Sequence, residues 1–128
     1  MSATQLAIVD IYCRTATDGP EAPTNLQEQE AACRAYCASH GLSIGIVHHE
    51  VASGIVYHER EQLSLMRERY CNGIIQGVVV RGIARLSRSQ DHIAILMREM
   101  EAHHVTLHRV QGQLRDRLYE LMRTMHEA

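Results

Sequence analysis

The chain switches repeatedly between two hydrophobic periods. Short apolar runs recur at Leu6–Tyr12 (LAIVDIY), Leu42–His48 (LSIGIVH), Ile74–Ile83, centred on Val78, Val79 and Val80, and Val105–Val110. Runs of this length, rich in β-branched residues, read as buried strands, expected near 6–13, 42–49, 76–83 and 105–110. Between them the period becomes helical. Leu26–His40 is a helix that Thr24 or Asn25 can cap, with Gln27 or Glu28 three residues on, and that Gly41 closes. It is preceded by a polar loop holding Gly19, Pro20 and Pro23. Arg60–Cys71 is a second helix and stops at the Asn72–Gly73 turn. Ser89 caps a third, over about 90–103, whose apolar stripe is Ile93, Leu96, Met97 and Met100. A last amphipathic segment, 113–126, carries Leu114, Leu118, Leu121, Met122 and Met125 on one side.

Strand and helix alternating in four rounds imply right-handed crossovers and a mainly parallel sheet with helices on both faces. The expected fold class is α/β, a three-layer α/β/α sandwich with four or five strands. Ligands of such folds bind beyond the carboxyl ends of the strands, where the strand order reverses.

Composition sharpens this picture at a few points. At 128 residues the chain is one domain, and 45% hydrophobic with 22% charged residues is the balance of a globular one. No apolar run is long enough to span a bilayer, and the first residues lack the pattern of a secretory signal, so the expected compartment is the cytoplasm. The formal net charge of −2 is unlike that of a free-standing nucleic-acid binder. All 13 basic residues are arginine, whose planar fork suits phosphate oxygens. Phe and Trp are absent, so the core is aliphatic with Met and Tyr. Cys13, Cys33, Cys37 and Cys71 read as small buried hydrophobes in a reducing compartment.

At the strand ends stand Arg14, then Ser53 and Gly54, then Arg60 at the head of the second helix, then Arg85 and Arg88. Taken singly each arginine is an ordinary surface charge. Four gathered on one sheet edge repel one another unless an anion sits among them, and phosphate fits their forks best. The histidines are less informative. Adjacent strand residues His48 and His49 point to opposite faces, so they do not ligate one metal, and no metal site is expected. A thiol-phosphatase loop starting at Cys13 would need an arginine where Gly19 stands, and neither common glycine-rich nucleotide loop is present.

Several segments resemble the serine recombinases, the resolvase and invertase family. Tyr12-Cys13-Arg14-Thr15-Ala16-Thr17-Asp18 is similar to that family's opening Tyr-x-Arg-x-Ser-Thr pattern. Leu26–Gln29 and Cys33–Tyr36 resemble the following helix, where a glutamine such as Gln29 recurs. Glu50–Gly54 (EVASG), with Arg60 and Leu63 downstream, resembles the Asp-x-x-Ser-Gly loop and its arginine. Ile83–Arg88 (IARLSR) resembles Leu-Asp-Arg-Leu-x-Arg. The match runs in order from about residue 6 to 110.

The resemblance implies a resolvase-like sheet of order 2-1-3-4(-5) and action on duplex DNA. In the family the serine attacks the scissile phosphate, giving a 5′-phosphoserine and a free 3′-hydroxyl. Strands exchange and the reaction reverses. The covalent intermediate keeps the bond energy, so no cofactor is implied. By position Arg14, Arg60, Arg85 and Arg88 inherit phosphate binding and charge stabilisation. Gln29, Glu50 and Ser53 support them. Two positions depart from the pattern: Ala16 holds the nucleophile's place, and Ala84 the usual aspartate's. A methyl group cannot form the covalent intermediate, so the chain is expected to be inactive as written. The implied partners are DNA, weakly bound, and a second copy of the chain through 113–126, which resembles the start of the family's dimerisation helix. The alternative role is a non-catalytic pseudo-recombinase that pairs with an active homologue and regulates it. Residues 1–128 read as one catalytic domain with its core at 6–110, without a DNA-binding domain or a membrane segment.

Overall fold

The computed structural model describes residues 7–16, 19–52 and 60–111. Among these, strands and helices alternate as β1 (Ile8–Thr15), α1 (Ala22–Ser39), β2 (Ser43–Val51), α2 (Glu61–Cys71), β3 (Gly77–Val80), α3 (Gln90–Ala102) and β4 (Thr106–Arg109). A 3-10 turn at Ile83–Arg85 joins β3 to α3. Every strand pair is parallel and the order is β2-β1-β3-β4, as the resemblance implies. Ser53, Gly54, Thr17 and the 113–126 segment lie outside the described residues.

The side-chain alternation of β1 sets the layers. Val9, Ile11 and Cys13 face one way and pack with Leu26, Cys33 and Cys37 of α1 and Val79 of β3. Tyr12 faces the other way, with Val78 and Val80, against Leu63, Met66 and Tyr70 of α2 and Leu96 and Met100 of α3. One helix therefore covers one face and two cover the other, which is the three-layer sandwich. The thiols of Cys13 and Cys33 are buried, and burial pushes both up to about 12, so they serve as apolar packing.

Four boundaries differ from the sequence expectation, among them the end of β2, which lies at Val51 and not 49. Helix α1 begins at Ala22 and not Leu26, with Pro23 in its first turn, so Thr24 and Asn25 lie inside the helix and neither caps it. Proline is tolerated there, because the N–H it lacks has no partner inside the helix. Strand β1 runs on to Thr15, which takes Arg14 into the sheet. Strand β3 is short, and Ile83 belongs to the turn after it. Elsewhere the cues hold: Ser89 Oγ accepts from the His92 N–H at 3.3 Å, and Gly41 closes α1 with a φ of +66°.

Between Val9 and Ile11 the pairing of β1 with β2 slips: Val9 faces Ile44, but Ile11 faces Val47. Gly45 and Ile46 thus stand opposite the single residue Asp10, a β-bulge. Asp10 repairs the broken ladder by accepting the Ile46 N–H at 2.8 Å on Oδ1. Its carboxylate also accepts from Arg69 Nε at 2.7 Å and Nη2 at 3.0 Å, and from His48 Nε2 at 2.8 Å. A Cβ on Gly45 would lie 2.7 Å from Asp10 Oδ1, so glycine makes the room. The slip inverts the facing of everything downstream in β2. His48 and Glu50 are buried, reaching toward α2, while His49 meets Glu30 of α1.

Burial alone would raise the Asp10 carboxyl, but hydrogen bonds from His48, Arg69 and the Ile46 N–H outweigh it and hold the group below its ordinary range. A depressed acid adds stability above its unfolded pKa, and that contribution is lost as pH falls through the folded value. Asp10→Ala is expected to lower unfolding free energy by about 3–5 kcal/mol near neutral pH, measured in urea, because it strands His48 and Arg69. The gap between wild type and variant should narrow as pH drops below about 4.

Candidate functional site

The carboxyl ends of β1 and β3 meet where the strand order reverses, and Arg14 leaves β1 at that point. Its side chain is 2% exposed. Among the described residues no carboxylate pairs with it. Backbone dipoles serve instead: Nε donates to the Arg85 carbonyl at 2.9 Å, Nη1 to Ala52 at 2.7 Å and Nη2 to Ala84 at 2.7 Å. The fork thereby ties the end of β1 to the loop after β2 and to the turn after β3. Burial, followed by the charges of Arg60, Arg85 and Arg88, lowers the proton affinity of Arg14. All three other candidate arginines are thus close enough to Arg14 to repel it.

Gln29 holds the same residue by its backbone. Pairing of β1 with β3 stops at Tyr12 and Val80. Beyond it, Gln29 Oε1 accepts the Arg14 N–H at 3.0 Å and Nε2 donates to the Arg14 carbonyl at 2.9 Å. A side-chain amide here replaces the missing strand, which explains why this helix glutamine is fully buried. Arg85 answers with Nη1 donating to the Arg14 carbonyl at 3.3 Å.

Arg60 precedes α2 and has no exposed surface. Its Nε and Nη2 donate to the Tyr12 hydroxyl at 3.0 and 2.5 Å, and Nη2 also reaches the Arg85 carbonyl at 3.2 Å. Its Nη1 is buried with no hydrogen-bond partner among the described residues. Glu50 accepts from the Tyr12 hydroxyl at 2.5 Å and lies 3.7 Å from Arg60 Nε. It also accepts the Gln62 N–H at 2.7 Å and the Leu63 N–H at 3.1 Å. Helix α2 has no cap from its own N-terminal residue, so Glu50 caps it from the neighbouring strand.

The sequence-derived residues therefore gather unevenly. Arg14, Arg60 and Arg85 form one hydrogen-bonded group with Gln29 and Glu50. Arg88 is exposed and joins through its charge. Ala16 is exposed just past β1, two residues beyond Arg14. Ala84 takes part through its carbonyl, its methyl offering no acid. Sequence reasoning passed over two residues. Tyr12 read only as a motif letter and a core residue. His92 is buried in the first turn of α3, and burial, then the charges of Arg60 and Arg67, lower it to about 4, which leaves it neutral at pH 7. Its position just after Arg88 was the available signal. No group of three or more metal-binding side chains occurs among the described residues, and no described helix is long and apolar enough to cross a membrane.

A parallel α/β domain with arginines packed at its switch point defines the class. The chain belongs to the family described as Resolvase, N terminal domain, whose profile matches residues 9–128; this is the catalytic-domain family of the serine recombinases. Among solved structures it is similar to the C-terminal catalytic domain of ISC1926 TnpA, an IS607-like serine recombinase. That match has 18% identity and a TM-score of 0.74, covering 92% of this chain and 82% of the other. It is similar also to the N-terminal catalytic domain of TP901-1 integrase, with 18% identity, a TM-score of 0.70 and 94% of each chain covered. A resolvase family site-specific recombinase from Streptococcus pneumoniae gives 17% identity and a TM-score of 0.70 over 94% of this chain and 88% of that one. These likenesses confirm the fold. No curated protein sequence matches the chain.

Removing the Arg14 fork should cost stability as well as the site. Arg14→Met leaves the carbonyls of Ala52, Ala84 and Arg85 without their donor and is expected to destabilise by about 2 kcal/mol or more in chemical denaturation. Arg14→Lys should restore only part of this, because a point ammonium cannot span three carbonyls set around a planar fork.

Proposed function

We propose that this domain binds a backbone phosphate of duplex DNA at the arginine group and does not cleave it. The observation that carries the reading is Ala16, an exposed residue just past β1 and two positions beyond Arg14, whose side chain is joined with Arg60 to the Arg85 carbonyl. Strand cleavage in this family needs an oxygen that bonds to phosphorus while the 3′-oxygen leaves. Alanine has no lone pair for that bond and no proton to give up. The arginines supply a different ingredient, positive charge around the phosphate oxygens, and charge alone supports binding. With Arg14 committed to carbonyls and Arg60 buried, direct contacts fall to Arg85 and Arg88, while Arg14, Arg60, Gln29 and Glu50 hold the frame and add charge behind it.

A domain that binds but cannot cut fits a dimerisation or regulatory partner of DNA-bound recombinases. The retained arginine group beside a missing nucleophile favours this role over a catalytic one. Affinity for duplex should be weak and should fall steeply with salt, since the contacts are to phosphate and the net charge is −2.

Incubation with duplex DNA, followed by a denaturing gel, is expected to give no covalent adduct and no nick. Ala16→Ser alone should yield at most a trace, because Ala84 leaves no acid beside it. Ala16→Ser with Ala84→Asp, fused to a DNA-binding domain, has the parts that cleavage requires. A detergent-resistant adduct with the unaltered chain would overturn the reading and direct attention to Thr17 or Ser53. For association through 113–126, Leu118→Asp with Leu121→Asp should give a folded monomer by sedimentation and circular dichroism. Unfolding of that variant would instead assign the apolar stripe to the domain's own core.

A further inference from the structure

Tyr12 is fully buried, and its hydroxyl lies between two opposite charges. A phenol oxygen offers one hydrogen and two lone pairs, and a guanidinium can only donate. Both lone pairs therefore turn to Arg60 Nε and Nη2, and the hydrogen is forced toward Glu50 Oε1. Every bonding capacity of the oxygen is used. Burial, opposed by the charge of Arg60, holds the phenol well above its ordinary range, so this hydrogen stays in place across working pH.

The oxygen also acts as a spacer. Arg60 Nε and Glu50 Oε1 are 3.7 Å apart with the phenol bonded to both. Without it nothing stops the guanidinium from closing onto the carboxylate. With it, Nε and Nη2 are anchored on one side, and Nη1 is the corner left over, buried and lacking an acceptor among the described residues. Buried donors without acceptors are rare, and this one belongs to an arginine in the candidate anion site.

We propose that Tyr12 is a positioning residue for the anion site: by standing between Glu50 and Arg60 it keeps the guanidinium from closing onto the carboxylate, so that the charge of Arg60 stays available to a phosphate held by its neighbours. The proposal rests on the phosphate-binding reading above. It makes the tyrosine of the opening motif a determinant of arginine geometry as well as a core side chain.

The test is titration with inorganic phosphate at constant ionic strength, followed by the NMR signals of the arginine Nε–H groups. In the wild type the Arg60 signal should shift saturably. Tyr12→Phe keeps the ring and should weaken phosphate about tenfold, the scale of one nearby charge. Adding Glu50→Gln to Tyr12→Phe removes the charge onto which Arg60 collapses and should recover affinity, whereas a merely structural role predicts a double variant worse than the single. A folded Tyr12→Phe with unchanged affinity, or a double variant weaker than the single, overturns the role of Tyr12 and leaves the phosphate site standing. If the wild-type signal does not shift, the phosphate-binding reading itself fails. If Tyr12→Phe does not fold, the wild type answers: its slowly exchanging Tyr12 hydroxyl proton should shift in step with the Arg60 signal, and an Arg60 shift without it overturns the proposal.

Discussion

A buried arginine neutralised by carbonyl dipoles organises this domain. Arg14 sits where water cannot solvate it, and a buried cation without compensation is prohibitive. The usual remedy is a carboxylate. Here three main-chain carbonyls, of Ala52, Ala84 and Arg85, take that place. A carboxylate would cancel the charge, whereas dipoles solvate it and leave its field in the site. The other charges of the site act on Arg14 in turn: after burial, those of Arg60, Arg85 and Arg88 lower its proton affinity. Ala52, just after β2, and the turn after β3 are tied to β1, because their carbonyls are the solvent of its arginine.

A second constraint lies farther down the same strand. The bulge opposite Asp10 decides which face Glu50 occupies. Without the extra residue in β2, strict alternation would turn Glu50 away from α2 and leave both Tyr12 and the first turn of α2 without their acceptor. The Asp10–Arg69–His48 network makes no direct contact with Arg14, Arg60 or Arg85 in its hydrogen bonds, yet it braces the bulge that fixes the facing of Glu50. It also explains a charged group in the middle of β1: Asp10 supplies the acceptor that the bulged ladder lacks.

Much of this was legible in the sequence. The four strands and three described helices followed from period alone, and their order and switch point from the resemblance. The arginine group could be located because strand ends in parallel sheets converge. What the pattern could not give was how each arginine is occupied. Arg14 read as a strand-end residue facing an anion, since nothing local reveals that Gln29 extends the sheet past β3 or that three carbonyls surround the fork. The early start of α1 was hidden by Pro23, which marks loops and first helical turns alike. The bulge left a trace, the break of alternation between Ile46 and Val47, but only the register makes sense of it. Tyr12 gave no signal of its role, because a tyrosine in an apolar run looks like core and here is also core.

The same geometry bears on what the loss of one oxygen does to such a site. In a competent enzyme, preorganised charge accelerates reaction to the extent that it favours the transition state over bound substrate. Removal of the nucleophile eliminates that transition state without altering the ground-state field, because Arg14 and Arg60 are held by carbonyls, Tyr12 and Glu50 and not by residue 16. The framework that positions the arginines is therefore separable from the group that attacks. On the reading proposed here, substitution at Ala16 leaves the means of holding a phosphate largely intact and removes the means of breaking it. A domain of that kind can occupy the place of a catalytic partner beside an active homologue while contributing binding alone.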